Sequence, residues 1–457
     1  MKSDIWIILS SFLLVGCNSP INFKSNQDFI KAITTYNDGD QLKPLNMQTL
    51  YANQGFPHLS SIDSQTALVV PLGFLDDNLQ SIQNHDNLIR LDKVFNGSAE
   101  EIDNLGGFSS VSNYYQKSSY GKINFKADVL PSWVVYNGTS SDFYRKYQNK
   151  SILGLGACDF IKEFYVREYS KDKHGILGHE AKPLEYYDQN NDGFVDLLWI
   201  VYSHPSGTVA DWWAYVSYTE NRKLENDVEF QTFGFASIDW LDKGYNGYDT
   251  HIFIHETGHA FGLLDYYDYS ENWSPLGKID MMDSNIGDHN AFSKFTLGWL
   301  NPLIVDDSAI ITLKSTSVYG ECFIIPSPNY NNTAFDEYLM VEFITPEGLS
   351  YGKYNSYQNI EGFSEPGIRI THCDGRVFLD NHDTYLSEPE KGQFFRLSNT
   401  KGGREGLKKD SDYFLQENGQ KGYYSLLSLI EPKFEEKNWI TDYNYLATNK
   451  SLFKKND

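Results

Sequence analysis

Residues 255–265 carry the pattern that most restricts how this chain can fold. They read HETGHAFGLLD. On an α-helix, residues four apart lie on one face about 6 Å apart along the axis, so the imidazoles of His255 and His259 point the same way. Asp265 reaches the same place only if the helix ends in between, and Gly262 suits this bend because glycine accepts a positive φ angle. The pattern therefore predicts a helix, a sharp turn and three converging side chains.

Two imidazoles and one carboxylate are a typical ligand set for catalytic zinc, which leaves a fourth position open for water. We therefore predict that His255, His259 and Asp265 bind zinc. Glu256 follows the first ligand directly and is predicted to be the general base that takes a proton from the metal-bound water. The full HExxHxxGxxD string is the metzincin signature, with Asp in place of the commoner third His.

A methionine pair lies a short distance downstream of this string. Residues 280–284 read DMMDS, and the chain has only five methionines. Metzincins carry a methionine-containing turn. We predict Met282 as the turn residue, with Met281 as the alternative, although methionines also fill gaps in ordinary cores.

The chain resembles the immune inhibitor A-like bacterial metallopeptidases over about residues 66–374. Besides the string above, the resemblance rests on strand 68–74 and on the segments YYQKSSYG (114–121), DMMD (280–283), AFSKFTLGWL (291–300), EYLMVE (337–342) and GIRITHCD (367–374). It implies the same zinc ligands and the same catalytic base. One departure is the sequence WAY at 213–215, where the family usually has a histidine after its tryptophan; Tyr215 is a candidate replacement donor.

Residues 188–196 predict a second metal site. They read DQNNDGFVD, which places oxygen side chains at positions 1, 3, 5 and 9 and glycine at position 6, as in the first part of an EF-hand calcium loop. The usual Glu at position 12 is replaced by Trp199, so an acidic turn before a strand is the alternative. The family resemblance favours structural calcium. The predicted ligands are Asp188, Asn190, Asp192, Asp196 and the carbonyl of Phe194.

The N-terminus predicts export. The apolar stretch 5–15 has the length of a signal-peptide core and is too short to span a bilayer. It runs into LVGC, ending at Cys17, which looks like the lipobox of bacterial lipoproteins. We therefore predict a lipoprotein signal peptide at 1–16, a lipid on Cys17 that anchors the protein to a membrane facing outside the cell, and a polar stalk or N-terminal extension at 17–62.

The net charge argues against nucleic-acid binding, and the cysteine content argues against disulfides and cysteine zinc sites. The formal net charge of −23 argues against binding nucleic acid or anionic lipid through a general positive field, and it suits both cation binding and solubility. The cysteines other than Cys17 are Cys158, Cys322 and Cys373. An odd number without CxxC spacing predicts buried thiols in place of disulfides or a cysteine zinc site.

Hydrophobic patterning predicts an α+β fold. Residues 63–302 are predicted to form a zincin/metzincin-like catalytic domain with a mixed sheet and an active-site helix. Within it, 142–169 is predicted to be helical with interruptions at Gly154 and Gly156. After residue 302 short strands alternate with turns, so 303–457 is predicted to be a β-rich C-terminal domain.

These features together predict a zinc-dependent endopeptidase that hydrolyses extracellular proteins or peptides. An alternative from another class is a surface adhesin that keeps a peptidase fold without turnover, but the complete ligand set and the intact Glu256 argue against it. Two histidines and a carboxylate also suit Fe(II). A glutamate beside the first ligand favours hydrolysis.

Overall fold

A computed structural model of the chain describes residues 5–8, 35–38, 41–44, 59–77, 82–104, 108–207, 211–219, 228–242, 248–268, 274–328, 330–351, 356–375, 378–379, 393–394, 426–432 and 444–455. The predicted lipidation site, Cys17, lies outside these ranges. The chain forms two compact units, one of residues 56–263 and the other of residues 264–457 together with 1–55. The domain boundary predicted near 302 therefore lies inside the second unit.

Helices and strands alternate along the described residues, and the mixed α+β class predicted from the sequence is confirmed. The strands are β1 Ile5–Ile8, β2 Thr35–Asp38, β3 Gln41–Pro44, β4 Asp63–Gly73, β5 Ile123–Val129, β6 Val134–Val135, β7 Phe194–Val195, β8 Leu198–Tyr202, β9 Tyr215–Tyr218, β10 Glu229–Phe230, β11 Thr232–Ser237, β12 Leu303–Ile304, β13 Ile310–Leu313, β14 Cys322–Pro326, β15 Glu337–Ile344, β16 Ser356–Tyr357, β17 Ile360–Glu361, β18 Gly367–Asp374, β19 Phe378–Leu379, β20 Gln393–Phe394 and β21 Leu427–Ile430. The α-helices are α1 His85–Asn96, α2 Ala99–Asn104, α3 Val111–Ser118, α4 Ser140–Tyr147, α5 Leu153–Tyr169, α6 His251–Ala260, α7 Met281–Ser284, α8 Ala291–Thr296 and α9 Thr316–Tyr319.

The unit of residues 56–263 is built on a six-stranded sheet. Its order is β5-β4-β8-β11-β9, and β6 also pairs with β4. The pairings from β5 to β11 are parallel, whereas β9 runs antiparallel to β11 at the end of the described sheet. The second half of β4 is buried on both faces, as expected for a central parallel strand.

Helices cover both faces of this sheet. Helices α4 and α5 pack on the face that carries Leu68 and Ile200. On the other face, Trp199 of β8 packs edge-on against Phe95 of α1 and tilted against Phe253 of α6, with ring centroids 5.6 and 5.4 Å apart. This aromatic cluster holds α6, the helix of the HExxH string, against the sheet.

Two glycines predicted to interrupt a helix lie inside one. The prediction of breaks at Gly154 and Gly156 is wrong: both are part of α5, and the gap between helices comes earlier, at 148–152. A Cβ on Gly154 would lie 2.4 Å from Phe233, and one on Gly156 would lie 2.3 Å from Tyr147. These glycines allow close packing of the helix, which local sequence does not reveal.

The second unit contains a five-stranded sheet of order β12-β14-β15-β18-β21. The pairings from β14 to β21 are antiparallel, and β12 is parallel to β14. In the same unit, β1 pairs antiparallel with β13. The predicted strands at 310–313, 322–325, 338–343 and 367–372 are all present. No helix in the described part of the chain is both long and apolar enough to cross a membrane.

Candidate metal centre

Helix α6 carries the HExxH string, with His255 and His259 one turn apart on the same face. The carboxylate of Asp249, just before the helix, accepts hydrogen bonds from the main-chain N–H of His251 at 3.0 Å and from its Nδ1 at 2.8 Å. The His251 ring also stacks on Phe108, with centroids 4.2 Å apart. The helix therefore begins at a fixed point, one turn before His255.

The chain turns sharply where the sequence predicts it. Gly262 has a φ of +97°. Its N–H donates to the carbonyl of His259 at 2.8 Å, and the N–H of Leu263 donates to the carbonyl of Gly258 at 3.0 Å. This pair of bonds is the Schellman motif, which ends a helix on a glycine. The predicted bend at Gly262 is confirmed.

The bend brings the three predicted ligands together. One ligand atom each from His255, His259 and Asp265 lies within 4.8 Å of the others. The two imidazoles stand nearly perpendicular, at 84°, with centroids 4.9 Å apart. Ligand atoms on a tetrahedral ion with bonds of about 2 Å are roughly 3.4 Å apart, so small side-chain movements close this group on an ion. Among the residues that the structure describes, it is the one such group of His, Cys, Asp and Glu, and it can hold a metal ion.

The protonation pattern of His259 also fits a ligand. Its Nδ1 lies 2.7 Å from the main-chain carbonyl of Leu263. A carbonyl only accepts hydrogen bonds, so Nδ1 carries the proton and Nε2 keeps its lone pair. Metal-binding histidines commonly donate their second N–H in this way, because the bond fixes the ring orientation.

Glu256 lies beside the first ligand in a water-poor setting. Glu256 is 6% exposed, and its negative charge acts on the nearby hydroxyl of Tyr115. Burial, and then the negative charge of Glu256, raise the pKa of Tyr115 well above its ordinary value. Tyr115 therefore stays a neutral hydroxyl beside the carboxylate at any ordinary pH.

The methionine pair lies in a short capped helix. Asp280 accepts a hydrogen bond from the N–H of Met282 at 2.8 Å, and Met281 and Met282 are fully buried. The N–H of Tyr266 donates to the carbonyl of Met282 at 2.8 Å. The residue that follows Asp265 is thus tied to the methionine segment. The Met-turn role of Met282 stays a prediction.

Residues 188–196 form a tight acidic loop. The carboxylate of Asp188 accepts the N–H groups of Asp192 at 3.0 Å and Gly193 at 2.9 Å, and Asn190 Oδ1 accepts the N–H of Asp192 at 2.9 Å. Burial, followed by repulsion from Asp192 and Asp188, raises the pKa of Asp196 to about 6. Phe194 begins β7. Calcium binding by these residues stays a prediction.

Tyr215 does not have the position expected of a replacement donor. Its hydroxyl accepts the N–H of Gly154 at 2.9 Å, and its ring packs with the cluster that joins the sheet to α5. Because α6 packs against the opposite face, through Phe253 and Trp199, the sheet separates Tyr215 from α6. The suggestion that Tyr215 assists the reaction is therefore wrong.

Two contacts in this region were not predicted from the sequence. The Asp249–His251 pair and the contact of Tyr115 with α6 both depend on folded geometry, although Asp249 before a helix start is a usable capping signal. The predicted burial of the thiols is confirmed, since Cys158, Cys322 and Cys373 are buried and unpaired by disulfides.

Comparisons with known proteins add no family assignment. No protein-family model matches the chain, and no curated protein matches it significantly.

Proposed function

We propose that this protein is a zinc-dependent endopeptidase. The proposal rests on one observation, the convergence of His255, His259 and Asp265 behind the bend at Gly262. The donor set suits zinc: two imidazoles, one of them with its Nδ1 proton held by a carbonyl, and one carboxylate. Three protein ligands leave a position for water and substrate, which is typical of catalytic and not of structural zinc.

When bound, zinc supplies Lewis acidity that acidifies water and polarises a peptide carbonyl. Glu256 follows His255 on the helix and takes the proton from the attacking water. It then delivers that proton to the leaving amine.

Strand β9 supports a peptide substrate over a small molecule. It is the last strand of the described sheet, and α6 packs next to it and β11. An extended peptide can add to such an edge through main-chain hydrogen bonds. Such pairing suits an endopeptidase, because the hydrogen bonds recognise the main chain of the substrate and not its termini.

The remaining predictions become part of this proposal. The protein is a bacterial lipoprotein held at the cell exterior by a lipid on Cys17, and structural calcium binds the loop 188–196. Its substrates are extracellular proteins or peptides.

The test is the Glu256→Gln variant, compared with wild type on casein. Glutamine keeps the shape of the side chain but cannot accept the proton, so the rate is expected to fall at least about a hundredfold. The zinc content is expected to equal that of wild type. Glu163→Gln, an exposed change on α5, is the matched control and should keep full activity.

Three results would contradict the proposal. Wild-type cleavage by Glu256→Gln would remove Glu256 from the mechanism. Iron in place of zinc, in protein purified without added metal, would favour the Fe(II) reading. Absence of chelator-sensitive cleavage by the wild type over a broad peptide library would favour the adhesin.

A further inference from the structure

The aromatic pair Tyr114–Tyr115 of α3 lies along the metal-binding helix. The hydroxyl of Tyr115 donates a hydrogen bond to the main-chain carbonyl of Ile254 at 2.6 Å. Both residues are fully buried. The two partners are 139 positions apart in the sequence, so this bond joins distant segments inside one compact unit.

The accepting carbonyl, that of Ile254, lies inside α6, directly before the first predicted ligand. The Ile254 carbonyl belongs to the peptide bond that leads into His255, and in a regular helix it accepts the N–H of Gly258. A carbonyl oxygen has two lone pairs, so the Tyr115 hydroxyl can add a second bond without displacing the first. The peptide before the first ligand and the base is thereby held from outside the helix.

The Tyr115 ring holds the end of the same helix. It packs against Phe261, the residue that follows α6, with centroids 4.9 Å apart. Tyr114 packs edge-on against Tyr115 and also contacts Phe108, which stacks on His251. Helix α3 and its flanking Phe108 therefore contact the start, the middle and the end of α6.

A direct role in catalysis is excluded by burial. With 0% exposure, Tyr115 cannot touch a substrate. It nevertheless lies within electrostatic range of Glu256. Because the hydroxyl donates to the Ile254 carbonyl, it acts on the backbone that leads into His255 and Glu256, and not on the substrate.

We infer that Tyr115 is a positioning residue: its hydroxyl fixes the turn of α6 that carries His255 and Glu256, within the peptidase mechanism proposed above. Rate effects of this kind arise because a reacting group displaced by about 1 Å can lose up to a hundredfold in rate. The hydroxyl alone is responsible, since the ring packing is available to phenylalanine as well.

The experiment compares Tyr115→Phe with Tyr165→Phe. Tyr165 is a buried residue of α5, on the sheet face opposite α6, and its hydroxyl donates to the main-chain carbonyl of Lys182, so this control loses the same kind of hydrogen bond away from α6. In full-length protein, Tyr115→Phe is expected to lower kcat about tenfold. KM and zinc content should stay within twofold of wild type. Tyr165→Phe should leave kcat within twofold.

A second readout does not depend on activity. Amide hydrogen exchange in the peptide covering α6 is expected to be about tenfold faster in metal-free Tyr115→Phe than in Tyr165→Phe, as the loss of one hydrogen bond to this helix implies. Equal exchange in the two variants would overturn the inference, and so would a wild-type kcat in Tyr115→Phe. If the wild type cleaves nothing, the proposed function fails, and the exchange rates still decide whether Tyr115 holds the helix.

Discussion

Replacing Gly262 by alanine tests the bend on which the metal centre depends. Gly262 has a φ of +97°, where a Cβ is strained. In the alanine variant, the segment after the helix is expected to relax towards ordinary backbone angles. Asp265 then moves away from the two imidazoles, and metal binding has to restore the strained turn.

The size of the effect follows from the backbone cost. Holding an alanine in the left-handed region costs roughly 1–2 kcal/mol. If metal binding supplies all of that energy, the Kd for zinc rises roughly five- to thirtyfold, since about 1.4 kcal/mol corresponds to a factor of ten. Asparagine tolerates positive φ better than alanine, so Gly262→Asn should weaken binding less.

The assay is competition for zinc against a chromophoric chelator, with melting temperatures measured on the same samples. Gly121→Ala is the matched control, because Gly121 has a φ of +79° and a Cβ there would meet nothing within 4 Å. This control should lose stability and keep the wild-type Kd. An unchanged Kd in Gly262→Ala, together with a loss of stability like that of Gly121→Ala, would refute the link between the turn and the ligand geometry.

Two further predictions concern the calcium loop and a buried carboxyl. Calcium at about one hundred times its Kd should stabilise metal-depleted protein by about 2.7 kcal/mol, seen as a higher Tm that Asp192→Asn abolishes; a Tm that calcium leaves unchanged would contradict the predicted site. Burial raises the pKa of the Asp280 carboxyl to about 7 in the folded protein, from an ordinary value of 3.8. Because the folded state holds this proton more tightly than the unfolded state, the proton contributes fully to stability below about pH 4. This contribution is lost as the pH rises through about 7. Between pH 5.5 and 7, wild type should lose about 2 kcal/mol relative to Asp280→Asn in parallel urea titrations, and identical pH profiles would show that Asp280 does not titrate as described.

The convergence of His255, His259 and Asp265 could be predicted because it depends on residues close together in the sequence. The face shared by His255 and His259 follows from helix geometry, and the turn at Gly262 follows from the backbone freedom of glycine. The strands at 310–313 and 367–374 were predictable for a similar reason, since short apolar runs are bounded by turn residues. In each case the controlling residues lie within a few positions of one another.

The wrong predictions concern residues whose conformation depends on contacts with segments distant in the sequence. Two glycines close together, Gly154 and Gly156, suggested a helix break. In the structure the side chains of Phe233 and Tyr147 come too close to them for a Cβ, so glycine is needed for packing inside α5. Tyr215 lies two residues after Trp213, which suggested a comparison with a family motif, but the direction of its side chain is set by its register opposite Phe235 in the sheet. Register and close packing depend on which segments meet, which no local pattern specifies.

Two histidines four residues apart also occur on helices that bind no metal, but the surroundings of this pair argue against that alternative. Such a helix needs no particular tautomer at His259, yet the Leu263 carbonyl holds its Nδ1 proton and leaves Nε2 as a donor to metal. Nor does it need the turn at Gly262 to bring the carboxylate of Asp265 within 4.8 Å of the two imidazoles. The Leu263 carbonyl and the turn at Gly262 thus orient different members of one group of side chains, and the proposed metal site accounts for both, since it needs three ligand atoms around one ion.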